Sequence, residues 1–105
     1  MLIYGVGKSG VYALNEFINN PRLGLSPLGF IDDETRNQGK QVNGYPVLGT
    51  LDTLESLLEK NSISEVIVTR DDIPKEKLGR LSQICTFYDV RLRRFKARLE
   101  EIPTQ

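Results

Sequence analysis

The sequence predicts an α/β fold, a parallel sheet packed between layers of helices, and three observations predict it. A short apolar run, Leu2 to Tyr4, meets a Gly-x-Gly-x-x-Gly at Gly5, Gly7 and Gly10. Segments with helical apolar spacing then alternate with short apolar or β-branched segments along the chain. One of these, Ser64-Glu65-Val66-Ile67-Val68-Thr69, is continuous and β-branched, as a central parallel strand should be. A glycine loop between strand and helix makes the expectation more specific. It is a Rossmann-like three-layer sandwich with a five-stranded parallel sheet, ordered 3-2-1-4-5 with right-handed crossovers.

Bulk properties narrow the choice further. At 105 residues the chain is a single domain, residues 1–105, with an ordinary 39% hydrophobic and 27% charged content. Fourteen basic residues balance fourteen acidic ones, so no general attraction to nucleic acid or anionic membrane is expected. There is no histidine and one cysteine, Cys85, which excludes an internal disulfide, a zinc-type site and a Ser-His-Asp triad. The lone cysteine fits a reducing compartment. No apolar run approaches the roughly twenty residues that a membrane-crossing helix needs. The first strand starts at the first residues, as expected of a domain cut from a longer protein.

Each glycine of the loop has its own role, namely a sharp turn off the strand, approach of a ligand to bare backbone, and close packing of helix on strand. Val11, Leu14, Phe17 and Ile18 recur at three- and four-residue spacing, which predicts a helix from about Lys8 to Asn20, stopped by Pro21. The free N–H groups and positive dipole end of that helix favour an anion such as a phosphate. Lys8 and Ser9 can add a cation and a hydroxyl donor to it, or serve as a solvated lysine and an ordinary first-turn residue.

Arg22 to Ser26 reads as a turn, and Pro27 to Ile31 as a buried strand stopping at Asp32-Asp33. Asp32 follows the glycine loop by about twenty residues, where a dinucleotide fold places an acid on the adenosine ribose hydroxyls. The plainer alternative is that Asp32-Asp33-Glu34 opens a polar loop.

A regular doubly wound fold would place a crossover helix at residues 34–49. Asn37, Gly39, Asn43, Gly44 and Pro46 argue against one. A loop with a short extended piece at Val42 and a short strand at Pro46-Val47-Leu48 is expected instead. Thr50 is placed to cap a helix whose apolar stripe is Leu51, Leu54, Leu57 and Leu58.

Arg70-Asp71-Asp72 follow the central strand at its carboxyl end, the edge where ligands bind in open α/β sheets, although an ordinary polar loop is the plainer reading. Pro74 opens a third helix with Leu78, Leu81, Ile84 and Cys85 inward, making Cys85 a small core residue. Val90-Arg91-Leu92 then makes the last strand. Arg91, Arg93, Arg94, Lys96 and Arg98 form a basic run, read as a solvated edge and tail rather than a polyanion or membrane contact.

Several of these phrases together resemble one family. Leu2 to Gly10 is similar to its opening strand and glycine loop, and Gly29-Phe30-Ile31-Asp32-Asp33 to its second strand. Gly39 with Gly44-Tyr45-Pro46-Val47-Leu48-Gly49, and Glu65-Val66-Ile67-Val68, match its later motifs. This is the CoA-binding-like Rossmann domain of bacterial polysaccharide-biosynthesis membrane proteins, which include nucleoside-diphosphate-sugar epimerases/4,6-dehydratases and sugar-phosphate transferases. The resemblance implies a cytoplasmic nucleotide- or nucleotide-sugar-binding module in a membrane-anchored parent. NAD is the leading ligand, with CoA and a UDP-sugar as the others. It carries a binding role onto Gly5, Gly7, Gly10, Asp32 and Asp33. Lys8-Ser9 and Thr69-Arg70 depart from the family pattern, which leaves the ligand open.

A short-chain dehydratase or epimerase needs Tyr-x-x-x-Lys on one helix face, so that the lysine lowers the phenol's pKa. Tyr4 and Lys8 have that spacing but straddle a strand and a turn, so the domain alone is read as a regulatory binding module. Two alternatives stay open. One is the NAD-binding half of a nucleotide-sugar dehydrogenase or dehydratase. The other is a ligand-free scaffold for self-association or for contact with a neighbouring catalytic domain.

Overall fold

The computed structural model describes residues 1–97 and 99–104. Six strands run β1 Leu2–Tyr4, β2 Gly29–Ile31, β3 Gln41–Val42, β4 Tyr45–Gly49, β5 Glu65–Val68 and β6 Arg91–Arg94. Three helices, α1 Lys8–Asn19, α2 Leu54–Lys60 and α3 Lys75–Phe87, lie between them. The sheet order is β3-β4-β2-β1-β5-β6. β1 pairs in parallel with β2 and β5, β2 with β4, and β5 with β6.

The parallel part therefore has the expected order, and the expected five strands become six. The addition is β3, antiparallel to β4, with Val42 opposite Tyr45 and Gln41 opposite Pro46. Asn43 (φ 51°) and Gly44 (φ 86°) both take positive φ between them. That is the backbone a tight two-residue hairpin needs, and Asn-Gly is its strongest short-range signal. The residues that argue against a helix here are the ones that build the hairpin.

Side chains alternate across the sheet as strand geometry demands. Leu2, Tyr4, Ile31, Val66 and Val68 face a core shared with Leu54 and Leu58 of α2 and Leu81, Ile84 and Cys85 of α3. Ile3, Phe30, Val47 and Ile67 face the other side, against Ala13, Leu14 and Phe17 of α1. Three layers result, as expected. On α1 the inward stripe is Gly10, Ala13, Leu14 and Phe17, whereas Ile18 is exposed. Thr50 precedes a 3₁₀ turn, Leu51–Thr53, that separates it from α2, and its N–H donates to Thr53 Oγ1 at 2.9 Å.

Of the basic run, Arg91, Arg93 and Arg94 lie on the edge strand β6. Arg93 bonds the carboxylate of Glu65, a buried residue on β5. Arg98 lies outside the described residues. Among the described residues, no helix is long and apolar enough to cross a membrane.

Candidate functional site

β1 is the strand from which the chain order departs in both directions, to β2 on one side and β5 on the other. Loops leaving the carboxyl ends of neighbouring strands diverge at such a point and leave a crevice. Here the loops after β1, β2 and β5 meet around one.

The glycine loop is built by two of its glycines and opened by the third. Gly5 turns off β1 at φ +115°, and a Cβ there would stand 2.8 Å from Thr69 Oγ1 and 3.0 Å from Arg70 Cγ. Thr69 is drawn in because its hydroxyl donates to the Tyr4 carbonyl at 3.1 Å. At Gly10 a Cβ would fall 2.0 Å from the Gly5 carbonyl oxygen, so α1 crosses β1 at a distance that only glycine allows. Gly7 differs: it immediately precedes α1, and a Cβ there would meet nothing within 4 Å. No side chain caps α1, and its first turn carries no acid. That helix end presents bare N–H groups and the positive dipole end, the features that suit an anion.

Asp32 lies across the cleft and is only 3% exposed. Its Oδ2 accepts the Val6 N–H at 2.9 Å, and its Oδ1 accepts the Glu34 N–H at 2.8 Å and Asn37 Nδ2 at 3.3 Å. Both oxygens are thus engaged by the protein, tying the glycine loop to the turn after β2. Gly7, Lys8, Ser9 and Asp32 line one cleft of about 420 Å³, together with residues after β2 and β5. Gly5 and Gly10 lie beneath it and shape the loop.

Asp33 opens onto a second hollow of about 420 Å³, lined also by Tyr4, Ile73 and Lys77. Its carboxylate accepts the Tyr4 hydroxyl, the Leu51 N–H at 3.0 Å and Lys77 Nζ at 3.2 Å. Partial burial opposes its charge, but these three donors outweigh that and hold its pKa below the usual carboxylate range. Burial, reinforced by the bond to Asp33, pushes the Tyr4 phenol up in turn. The Tyr4 hydroxyl is therefore bound to Asp33 and lines a different hollow from Lys8.

Residues that sequence reasoning passed over complete the crevice. Arg36 and Asn37, on a 3₁₀ turn Thr35–Asn37, line the first cleft, and Lys77 of α3 the second. Asn37 carried a signal only as a helix breaker. Lys77 carried none, because its partner Asp33 is 44 positions away. Arg70 and Asp72 line both hollows and stand between them.

Residues 2–93 match the model of a family described as a CoA-binding domain. The chain belongs to that family. The resemblance carried by the spaced motifs is borne out. Among curated proteins, the chain is 24% identical over 84 residues to the probable polysaccharide biosynthesis protein EpsC of Bacillus subtilis (strain 168). That match covers 80% of this chain and 14% of EpsC, so this CoA-binding-family domain spans only a small part of that relative. Among solved structures, a Rex-family repressor, RSP, superposes with a TM-score of 0.73 at 20% identity, over 97% of this chain and 47% of RSP. RSP in complex with β-NADH gives 0.71 at 20% identity, over 97% and 48% of the two chains. UDP-D-quinovosamine 4-dehydrogenase from Vibrio fischeri gives 0.68 at 25% identity, over 87% of this chain and 72% of that one. The likeness to RSP shows the fold alone.

Proposed function

We propose that this chain is a nucleotide- or nucleotide-sugar-binding module of a polysaccharide-biosynthesis protein of the epimerase/dehydratase kind. It is regulatory rather than catalytic by itself, and its parent is anchored on the cytoplasmic face of the membrane. The observation that carries the reading is the open Gly7 at the uncapped start of α1, facing Asp32 across a cleft of about 420 Å³. A diphosphate would sit on the α1 N–H groups beside Lys8 and Ser9, with its sugar toward Asp32 and Asp33. The CoA-binding family supports a nucleotide-type ligand, and the EpsC relative supports the polysaccharide-biosynthesis setting. NAD leads, with CoA and a UDP-sugar next.

A second reading has its own observation. The likeness to UDP-D-quinovosamine 4-dehydrogenase extends over 72% of that chain, which favours the NAD-binding half of a nucleotide-sugar dehydrogenase.

A thermal-shift series with NAD⁺, CoA and UDP-glucose tests both, because a ligand that binds only the folded state raises the midpoint. The wild type is expected to shift with at least one of them. Gly7→Leu is expected to fold with a midpoint close to wild type and to lose the shift. A shift with NAD⁺ alone favours the dehydrogenase half. No shift at millimolar concentration in the wild type, or an undiminished one in Gly7→Leu, overturns nucleotide binding at this loop.

A further inference from the structure

Arg70 lines both hollows, together with Glu34 and Asp72. Its stem lies over the glycine loop, since a Cβ on Gly5 would touch Arg70 Cγ at 3.0 Å and Cδ at 3.2 Å. Its guanidinium makes a two-pronged contact with Asp72, Nε to Oδ1 and Nη2 to Oδ2, each at 3.0 Å. The pair closes over only two residues of one loop and is well solvated, with the Arg70 side chain 45% and that of Asp72 71% exposed. An exposed pair of this kind contributes little to stability, about 0.2–1 kcal/mol, so exchanging its partner costs the fold almost nothing. The guanidinium fork fits a phosphate in the same two-pronged way as a carboxylate.

We infer that Arg70 is the specificity-determining phosphate contact of the crevice, and that Asp72 is a built-in competitor occupying its fork until a phosphate-bearing ligand displaces it. The inference rests on the nucleotide-binding reading and deepens it. Each hollow measures about 420 Å³, and the Arg70–Asp72 pair is shared by the linings of both. A ligand that spans both meets the pair, and a phosphate is the group that gives Arg70 an equivalent partner in exchange for Asp72. The departure from the family pattern at Arg70 then has a chemical purpose. Four acids, Asp32, Glu34, Asp71 and Asp72, face the first cleft against three bases, Lys8, Arg36 and Arg70, so a cation released from its carboxylate is what an anion there requires. Arg36 is itself drawn toward Glu34 at 3.6 Å. Lys8, Arg70 once Asp72 lets go, and Arg36 once its exposed pair with Glu34 opens are the cations that can meet an anion there.

The test is calorimetric titration of the wild type, Asp72→Asn, Arg70→Ala, the double variant and Asp71→Asn with NAD⁺ and with CoA. Asp71→Asn makes the same charge change on the same cleft without touching the Arg70 fork. Asp72→Asn is expected to tighten binding about two- to fivefold, the equivalent of releasing an exposed pair. Arg70→Ala is expected to weaken it about tenfold or more, as loss of a charged phosphate contact does. In the Arg70→Ala background, Asp72→Asn should gain no more than Asp71→Asn does in the wild type. Unchanged affinity in Arg70→Ala or in Asp72→Asn, or an Asp72→Asn gain in the Arg70→Ala background larger than that of Asp71→Asn in the wild type, overturns this inference and leaves the nucleotide-binding reading standing. Failure of every variant and the wild type to bind either ligand overturns both.

Discussion

The carboxylate of Asp32 accepts the backbone N–H of Val6, 26 residues earlier, at 2.9 Å. The residue that spacing assigns to a ligand's ribose is thus also the tie that holds the glycine loop against β2. With Glu34 N–H on its other oxygen, Asp32 satisfies two backbone donors from a nearly fully buried position.

Asp32→Ala should therefore destabilise the fold even without ligand. Two N–H groups would lose their acceptor, each costing about 1–3 kcal/mol when buried. Denaturant unfolding of the unliganded protein measures this. A variant as stable as the wild type would show that the carboxylate is free for ligand alone.

Gly7 and Gly10 should part ways on substitution. Gly10→Ala puts a Cβ 2.0 Å from the Gly5 carbonyl, which forces α1 off β1; an overpacked contact of this kind costs about 1–3 kcal/mol or more. Gly7→Ala meets open space, and exchange of a helix-start glycine should cost no more than about 1 kcal/mol. Thermal midpoints of the two variants give the comparison directly, and equal losses would refute it.

Asp33 should make the fold sensitive to acid. Its folded pKa is lowered, so its contribution is fully present above its unfolded value and is lost as pH falls through the folded one. Asp33→Asn should be less stable than wild type at neutral pH, with the gap closing below about pH 4. For Tyr4 the sign reverses: a raised phenol pKa gives stability that is present below about pH 10 and lost above it. Tyr4→Phe should remove one of the two late-ionising phenols in an ultraviolet alkaline titration, the other being Tyr88, which its bond to Glu59 pushes up. A late phase that keeps its full two-phenol amplitude in Tyr4→Phe would place that perturbed phenol elsewhere.

Cys85 should be chemically silent in the folded protein. It is 2% exposed, and burial pushes its thiol up to about 11. Reaction with a disulfide reagent at pH 8 should be slow in the native state and rapid in denaturant, because thiolate is the reacting form. Fast native labelling would contradict its place in the core.

Layer assignment and strand order are legible in the sequence because they depend on local pattern. Val66-Ile67-Val68 reads as a buried strand, and the stripe on α3 names its inward face nearly to the residue, whereas on α1 Leu14 and Phe17 are inward and Ile18 is not. The hairpin that adds the sixth strand is a local signal too. Asn43-Gly44 bars a helix, and the same pair marks a two-residue turn, so counting it only against a helix leaves β3 unpaired. The family is likewise readable from motifs spaced along the chain.

What a polar side chain does was decided by partners far away in sequence. Asp33 is held by Tyr4, Leu51 and Lys77, at separations of 29, 18 and 44 residues. Asp32 reaches back 26 residues to Val6. A hydrophobic pattern survives in one dimension because burial follows the period of helix or strand. A hydrogen-bond acceptor has no such period; its partners exist only once the sheet has brought β1, β2 and β5 side by side. The sequence by itself therefore determined the sheet, its helices and the glycine turn. Only the tertiary structure decided that two carboxylates after β2 serve as ties, and that Arg70 and Asp72 stand between the two hollows of the crevice.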